Sequence, residues 1–298
     1  MITAQANKKT QSWYDKAFAS KLMTPNIIVI IVICVFPLIY GIFLSFFQYE
    51  LALPSPIKFV GFGNYLKVFG DATFWSAVKV SFISVIGGAA LQLFLGFGAA
   101  LILNRDFRGR SIIVAILLIP TTLAPVVVGF IFRMLLDDRF GPVNYLIKSI
   151  GLQPISWWGN PQASLPGIII ANGWEWFPFV MLVLLAGLQS VPQDLIDSAR
   201  VDGASDWNVF WKIVLPLLKT VMVVVVLIRA IEDLKMFDII LVTTGGGPGI
   251  ATQTMNMYAY QKGFSFFSIG YASALSYVQL ILALILVRFL FSQLSKED

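Results

Sequence analysis

The chain reads Asp197-Ser-Ala-Arg-Val-Asp-Gly-Ala-Ser-Asp-Trp-Asn-Val-Phe-Trp-Lys-Ile-Val-Leu-Pro216 between two long apolar segments. Its first ten residues include four charged side chains, and charges packed this closely are costly inside a bilayer. The stretch is therefore expected to lie in water on one side of a membrane. There it can offer a surface to another protein.

Local signals in and around this stretch predict a short helix, a turn and a second helix. Pro192 suits the first turn of a helix, and Asp194 places a negative charge at the positive end of that helix. Gly203 can adopt the left-handed conformation that ends helices, and Ser205 is suited to cap the next one. We expect a helical knob roughly 15 Å long at 1.5 Å per residue. An ordinary loop is the alternative that periodicity alone leaves open.

The composition is that of a membrane protein. The chain has 298 residues, of which 58% are hydrophobic and 12% charged, with a mean hydropathy of +0.82. Soluble domains carry about 25% charged residues. We therefore expect an all-α integral membrane protein forming one domain over 1–298, with a lead-in at 1–25 and the polar segment at about 190–217. Its six transmembrane helices are expected at about Ile27–Phe47, Val78–Leu103, Ile112–Leu136, Leu165–Leu188, Val209–Val242 and Phe267–Phe291.

The lead-in is expected to carry a short amphipathic helix around Trp13–Leu22. The first apolar run is full length and leads into bulky residues, so we expect it to be retained rather than cleaved. The fifth run is too long for one span, and its first part is expected to lie along the membrane surface. Lys and Arg favour cytoplasmic N- and C-termini, because the cytoplasmic segments then carry twelve of them and the external segments seven.

The residue inventory excludes several chemistries. The chain has no histidine, and Cys34 is its single cysteine. Histidine-based catalysis, cysteine metal sites and disulfides are thereby removed, so neither catalytic residues nor a metal site are predicted. The stretch Thr244–Gly249 lacks the Gly-Lys-Ser/Thr ending of a phosphate-binding loop and is interpreted as a tight external turn. The basic residues form no clustered face, so no nucleic-acid partner is expected.

Charged residues cluster in the fifth span. Ionisable groups inside a bilayer usually face a cavity or one another. Spacings of three and four residues allow this set to neutralise itself along one helix. The alternative is that some of its members line a solute path. The set comprises Arg229, Glu232, Asp233, Lys235 and Asp238.

Other candidates for the solute path lie in the second and fourth spans. Gln92 belongs to a row of small and polar residues at four-residue spacing, a pattern typical of close helix packing. The fourth span offers Asn172, Trp174, Glu175 and Trp176. Pro178 follows and can loosen the helix there. An aromatic face beside a carboxylate suits a sugar, although the two tryptophans cannot share one helix face.

The polar stretch resembles the cytoplasmic coupling motif of permease subunits of ATP-binding-cassette importers. That motif reads roughly Glu-Ala-Ala-x-x-Asp-Gly-Ala and, after a spacer, Ile-x-Leu-Pro. Two positions depart, since Asp197 replaces Glu and Ser198 replaces Ala, both conservatively. The resemblance implies an ATPase-coupling role for Asp197, Ser198, Ala199, Arg200, Asp202, Gly203, Ala204, Ser205, Phe210, Ile213, Leu215 and Pro216.

The resemblance extends over nearly the whole chain and is strongest to the carbohydrate-uptake subfamily. Its landmarks include Phe59–Tyr65, Ile119-Pro120, Pro178-Phe179 and Leu185–Gln189. It implies a permease in a bacterial or archaeal cytoplasmic membrane that imports a sugar or oligosaccharide. The implied partners are a second, non-identical permease, two ATPase subunits and an external solute-binding protein. ATP and Mg would then be bound by the ATPases, and this chain would bind no cofactor.

Three alternatives stay open at this point. The same machinery could import a polyol, glycerol phosphate or another small osmolyte. A stand-alone secondary transporter predicts inverted repeats with matching broken helices, and no such repeat is found. A membrane enzyme without histidine would need a Ser–Lys pair or paired carboxylates, and it would leave the stretch at 197–216 unexplained.

Overall fold

The structure is a computed structural model that describes residues 23–52 and 56–294. The amphipathic helix expected around Trp13–Leu22 lies outside the described residues. Two short antiparallel strands, β1 (Phe47–Gln48) and β2 (Lys58–Phe59), form a hairpin. The helices are α1 (Met23–Ser45), α2 (Gly63–Gly70), α3 (Ala72–Leu103), α4 (Arg110–Thr122), α5 (Pro125–Leu135), α6 (Pro142–Ser149), α7 (Pro161–Gln189), α8 (Gln193–Val201), α9 (Asp206–Leu234), α10 (Asp238–Thr243), α11 (Met255–Tyr260) and α12 (Ile269–Leu294).

Five helices of the described chain are long and apolar enough to cross a membrane, or six if α4 and α5 together make one span. The five are α1, α3, α7, α9 and α12. Helix α1 is exposed along nearly its whole length, as lipid- or partner-facing helices are. The predicted all-α membrane architecture is confirmed at this level.

The third predicted span, Ile112–Leu136, is not one continuous helix. Helices α4 and α5 meet at an angle of 98° across Leu123 and Ala124. Pro125 starts α5, and the residue before a proline is disfavoured in the α conformation. Ala124 accordingly has φ −69° and ψ 139°. The predicted single helix is therefore wrong, and the break is set by this proline.

The fifth predicted span also differs from expectation. Helix α9 runs without interruption from Asp206 to Leu234, with one π-helical stretch at Phe210–Val214. The first part of the run is thus continuous with the rest of the helix, and its expected position along the membrane surface stays a prediction. The excess length is taken up at the other end, where the chain breaks over Lys235–Phe237 before α10.

Helices α3 and α7 form the central pair of the fold. The small and polar residues of α3 that recur at every fourth position are buried, namely Ser84, Gly88, Gln92, Gly96 and Ala100. A Cβ atom added at Gly96 would lie 2.8 Å from Cγ1 of Val180 and 2.9 Å from the backbone nitrogen of Met181. Glycine is thus required where α7 approaches α3, as small-residue helix packing predicts.

Candidate solute site and coupling segment

The segment for which a coupling role is expected, residues 190–217 and called the coupling segment below, contains a short helix that ends in a turn. Pro192 precedes α8 in an extended conformation, and Asp194 lies in its first turn. Gly203 follows the helix with φ +83°, a conformation that glycine adopts without strain. The amide of Ala204 donates to the carbonyl of Ala199 at 2.9 Å, which satisfies a carbonyl at the helix end. Ser205 Oγ then accepts from the amide of Asn208 at 3.4 Å.

The surface of this segment is open. Helix α8 buries none of its residues, and Val201 is 87% exposed. Arg200 donates to Asp206 at 3.0 Å and lies 3.9 Å from Asp197, so the charges on either side of the turn are linked. An exposed helix with apolar residues among its charges is typical of a contact surface.

The second half of the coupling segment enters α9. Phe210 is half-buried, and its ring lies 6.1 Å from that of Phe97 on α3. Ile213 and Leu215 are also half-buried, while Pro216 is exposed. The segment is therefore joined rigidly to a helix that continues to Leu234. Sequence reasoning missed the exposed pair Trp207 and Trp211, whose rings lie 5.4 Å apart on the same surface.

A cavity of about 130 Å³ lies between α7, α9 and α10. It brings together eight of the predicted path residues, namely Asn172, Glu175, Trp176, Arg229, Glu232, Asp233, Lys235 and Asp238. Sequence reasoning missed four further lining residues, which are Pro125, Met236, Phe237 and Ile239. Pro125 is a local signal for a helix break. The sequence does not indicate that this break lies beside the same cavity as α9.

Two predicted path residues do not line the cavity. The ring of Trp174 packs at 5.6 Å against that of Phe132 on α5. Trp176 instead faces the cavity, so the two tryptophans are divided between packing and cavity. Gln92 lies behind the cavity wall and contacts Asp233 from α3.

A buried polar network crosses three helices beside the cavity. Arg229 Nη2 donates to Asp233 Oδ1 at 2.5 Å, and Arg229 Nε donates to Gln92 Oε1 at 2.8 Å. Asn172 Nδ2 donates to Asp233 Oδ1 at 2.9 Å. The guanidinium carbon of Arg229 lies 4.4 Å from the ring centre of Trp176, which adds a cation–π contact. These contacts hold α9 against both α3 and α7.

The outer charges of the same group are arranged differently. Lys235 Nζ donates to Glu232 Oε1 at 2.7 Å in an exposed pair. Asp238 opens α10 after the break, so it no longer shares a helix face with Lys235. The self-neutralising ladder expected along one helix is therefore only partly formed, because the helix ends at Leu234.

Glu175 is the unusual member of the group. Its side chain is 1% exposed, and neither carboxylate oxygen makes a hydrogen bond of normal distance and angle. The indole N–H of Trp176, the next residue along the helix, is the donor that lies beside this carboxylate. Helix α7 runs unbroken through Pro178, so the expected loosening of the helix does not interrupt it.

A second polar cluster fixes the start of α3. Asp71 caps this helix by accepting from the amide of Thr73 at 2.8 Å, and it also accepts from the hydroxyls of Tyr258 and Tyr271. Burial alone would raise the pKa of Asp71, but these hydrogen bonds outweigh burial and hold the pKa below its usual value. The cluster ties α3, α11 and α12 together.

The glycine-rich stretch Thr244–Gly249 forms a tight turn. Gly245, Gly246 and Gly249 have positive φ, and the Gly247–Pro248 peptide is cis. The hydroxyl of Thr252 donates to the carbonyl of Gly247 at 2.7 Å, which closes the turn on itself. Within residues 23–52 and 56–294, no group of three or more acidic, histidine or cysteine side chains is placed to hold a metal.

Comparison with known families decides the class of the protein. The model of the binding-protein-dependent transport system inner membrane component matches residues 92–296, more than half of the chain. The chain belongs to this permease family. The match covers the coupling segment and α7, α9 and α10, which enclose the cavity.

Curated relatives of this permease cover most of its length. The trehalose/maltose transport system permease protein MalF of Thermococcus litoralis is 36% identical over 267 residues, which is 88% of each chain. The sulfoquinovosyl glycerol transport system permease protein SmoG of Agrobacterium fabrum is 36% identical over 274 residues, covering 91% of this chain and 88% of the relative. Both relatives are named as permease proteins of transport systems.

The fold of the permease matches a solved importer. The crystal structure of a bacterial ABC transporter for the acidic polysaccharide alginate contains a chain that superposes with a TM-score of 0.80. It is 24% identical, and the alignment covers 96% of this chain and 99% of that one. At this identity the likeness establishes the fold.

Proposed function

We propose that this permease translocates a sugar or oligosaccharide as one subunit of an ATP-driven importer. The observation that carries the proposal is helix α8, which buries none of its residues and is joined through Gly203 and Ser205 to the long helix that reaches the cavity. In a chain of this family, such an exposed helix can bind a soluble partner and transmit a conformational change of that partner to the membrane helices. The names of the relatives, which include trehalose and maltose, support a saccharide.

The coupling segment docks in a cleft of an ATPase subunit. Its exposed apolar side chains, such as Val201 and Trp207, supply the contact area, while Arg200 and its two aspartates supply the polar rim. ATP and Mg are bound by two such ATPases, and hydrolysis takes place there. This permease contributes no catalytic residue and binds no cofactor.

The orientation of the permease follows from this docking. The coupling segment lies in the cytoplasm, and both chain termini lie on the same side. Lys and Arg are concentrated at the N-terminus and in the Arg105–Arg110 loop, which agrees with the positive-inside rule. The turn at Thr244–Gly249 and the Asp71 cluster then face outward, where an external solute-binding protein delivers the solute. A second, non-identical permease completes the pathway.

The cavity beside Glu175 and Trp176 forms part of the solute path. Its volume of about 130 Å³ is below the range of about 300 to 1,000 Å³ that is typical of ligand pockets. The described conformation is therefore closed at this point. Passage requires α7, α9 and α10 to move apart, and the coupling segment is placed to transmit that movement along α9.

The decisive experiment is copurification. The tagged permease is expected to bring down two ATPases and a second permease, and the reconstituted assembly with its binding protein should hydrolyse ATP faster when the right saccharide is added. Mono-, di- and oligosaccharides are screened beside polyols and glycerol phosphate. Stimulation by a polyol or by glycerol phosphate alone would replace the saccharide in the proposal. A permease that purifies without any ATPase would overturn the importer role.

A further inference from the structure

The charges that line the cavity are unbalanced. Four carboxylates face it and only two cations, so the lining carries more negative than positive groups. The carboxylates belong to Glu175, Glu232, Asp233 and Asp238, and the cations to Arg229 and Lys235.

Both cations already have partners. Arg229 is 2% exposed, and its donors bind Asp233 at 2.5 Å and Gln92 at 2.8 Å. The ring of Trp176 covers its guanidinium. Lys235 donates to Glu232 at 2.7 Å. An anionic solute would therefore find no uncommitted guanidinium in the cavity, and it would have to compete with a carboxylate for the ammonium of Lys235.

Two carboxylates remain without an ion pair among the described residues, namely Glu175 and Asp238. Glu175 is also buried without a normal hydrogen bond to either oxygen. A buried acceptor left unsatisfied costs free energy, and native proteins usually supply a donor. Because α7 and its neighbours supply none of normal geometry, a donor that enters the cavity would satisfy this acceptor.

We infer, building on the proposed function, that the solute is an uncharged saccharide whose hydroxyl groups donate hydrogen bonds to Glu175 and Asp238. Saccharides that carry a carboxylate, sulfonate or phosphate group are not bound in the cavity. Hydroxyl groups satisfy the free acceptors without adding charge. An anionic group would instead lie close to two like charges, which disfavours its binding. Glu175 is thus the specificity-determining residue of the site.

The relatives alone leave this choice open. MalF, named for the neutral sugars trehalose and maltose, and SmoG, named for the sulfonated sulfoquinovosyl glycerol, are both 36% identical to this permease. The matching crystal structure is of an importer for an acidic polysaccharide. The selection between neutral and acidic saccharides therefore has to come from residues such as those of the cavity.

Saturation-transfer NMR on the assembled complex tests the inference. The complex of permeases and ATPases is placed in nanodiscs without the external binding protein, so that the selectivity of that protein does not enter. Maltose and a disaccharide of the same size with one glucuronate unit are the probes. We expect transfer to maltose. Binding of the acidic disaccharide should be weaker by about tenfold or more, because the loss of one hydrogen bond to a charged group has an effect of this size.

Variants assign the effect to Glu175. Glu175→Gln keeps the size of the side chain but removes its charge, so it should weaken maltose binding and narrow the difference between the two probes. Glu175→Asp should preserve the preference for the neutral probe. Glu50→Gln, the same exchange outside the cavity, serves as the control and should change neither probe. The yield of assembled complex is measured for each variant.

The outcomes separate the inference from the proposed function. Equal or tighter binding of the acidic probe, no saccharide binding at all, or an unchanged preference in Glu175→Gln each overturn the inference. The proposed function still stands in those cases if the full assembly with its binding protein hydrolyses ATP faster with a saccharide. It fails if no saccharide has that effect.

Discussion

Arg229 and Asp233 form an ion pair of 2.5 Å on one face of α9, and their side chains are only 3% and 0% exposed. Each partner also bonds to another helix, Arg229 to Gln92 of α3 and Asp233 to Asn172 of α7. A charge pair within one helix is thereby turned into a junction of three helices.

Removing one partner of this pair should strongly destabilise the protein. In Asp233→Ala the buried guanidinium of Arg229 would lose its counter-charge, which costs about 3 to 5 kcal/mol for buried pairs. We expect a marked fall in the thermal transition of the purified complex, or a failure to assemble.

The exposed pair Lys235–Glu232 provides the matched control. Its side chains are 57% and 49% exposed, and exposed pairs contribute about 0 to 1 kcal/mol. Lys235→Ala should therefore leave the thermal transition nearly unchanged. Equal losses in the two variants would contradict the structural role assigned to Asp233.

Gly96→Ala should loosen the contact between α3 and α7. The new methyl group would meet Val180 at 2.8 Å and the backbone of Met181 at 2.9 Å, and overpacking of this kind typically costs about 1 to 3 kcal/mol. Gly98→Ala on the same helix meets nothing within 4 Å, and alanine favours a helix by about 1 kcal/mol. Thermal melting of the two variants should move in opposite directions.

Gly203→Val should uncouple ATP hydrolysis from solute. A β-branched residue at φ +83° is strained by about 1 to 3 kcal/mol, which shifts the turn between α8 and α9. The expected result is loss of saccharide-stimulated ATPase activity in the reconstituted assembly. Gly151→Val introduces the same strain at φ +81°, also in open space but far along the chain from the coupling segment. Stimulation should persist there, and its loss in both variants would argue against a coupling role.

Acid should remove the contribution of Asp71 to stability. Its pKa lies below the ordinary value of 3.8 in the folded protein, so the unfolded chain binds a proton at higher pH than the folded one. The stabilisation is then fully present above about pH 4 and is lost as the pH falls through the folded pKa. Melting temperatures of the wild type and Asp71→Asn should differ at neutral pH and converge below pH 4. A constant difference over that range would contradict the sign.

Local rules account for the parts of the structure that the sequence predicted well. The ends of α8 depend on Pro192 and Gly203, and the start of α9 depends on Ser205. Each of these residues acts on its own backbone or on a neighbour a few residues away. The row of small residues on α3 likewise marks a packing face by spacing alone. These features need no knowledge of the rest of the fold.

The parts that were missed depend on long-range contacts or on where a helix stops. The pair Arg229–Asp233 follows from spacing, but the bonds from Gln92 and Asn172 join residues 137 and 61 positions away. The predicted pairing of Lys235 with Asp238 did not form, because the prediction assumed one continuous helix through both residues. Pro125 is a local signal for a helix break. The span was nevertheless predicted as one helix, because the apolar run around this proline is long enough to cross a bilayer.

The two interruptions of the helical backbone, before Pro125 and at Lys235–Phe237, border the same cavity. Helix α9 is a rod of 29 residues with the coupling segment at one end and one of these joints at the other. A tilt of the rod can therefore be taken up by rotation at the joints, while the tight seam between α3 and α7 stays closed. The permease therefore has both interruptions of its helical backbone beside the cavity rather than at the coupling segment.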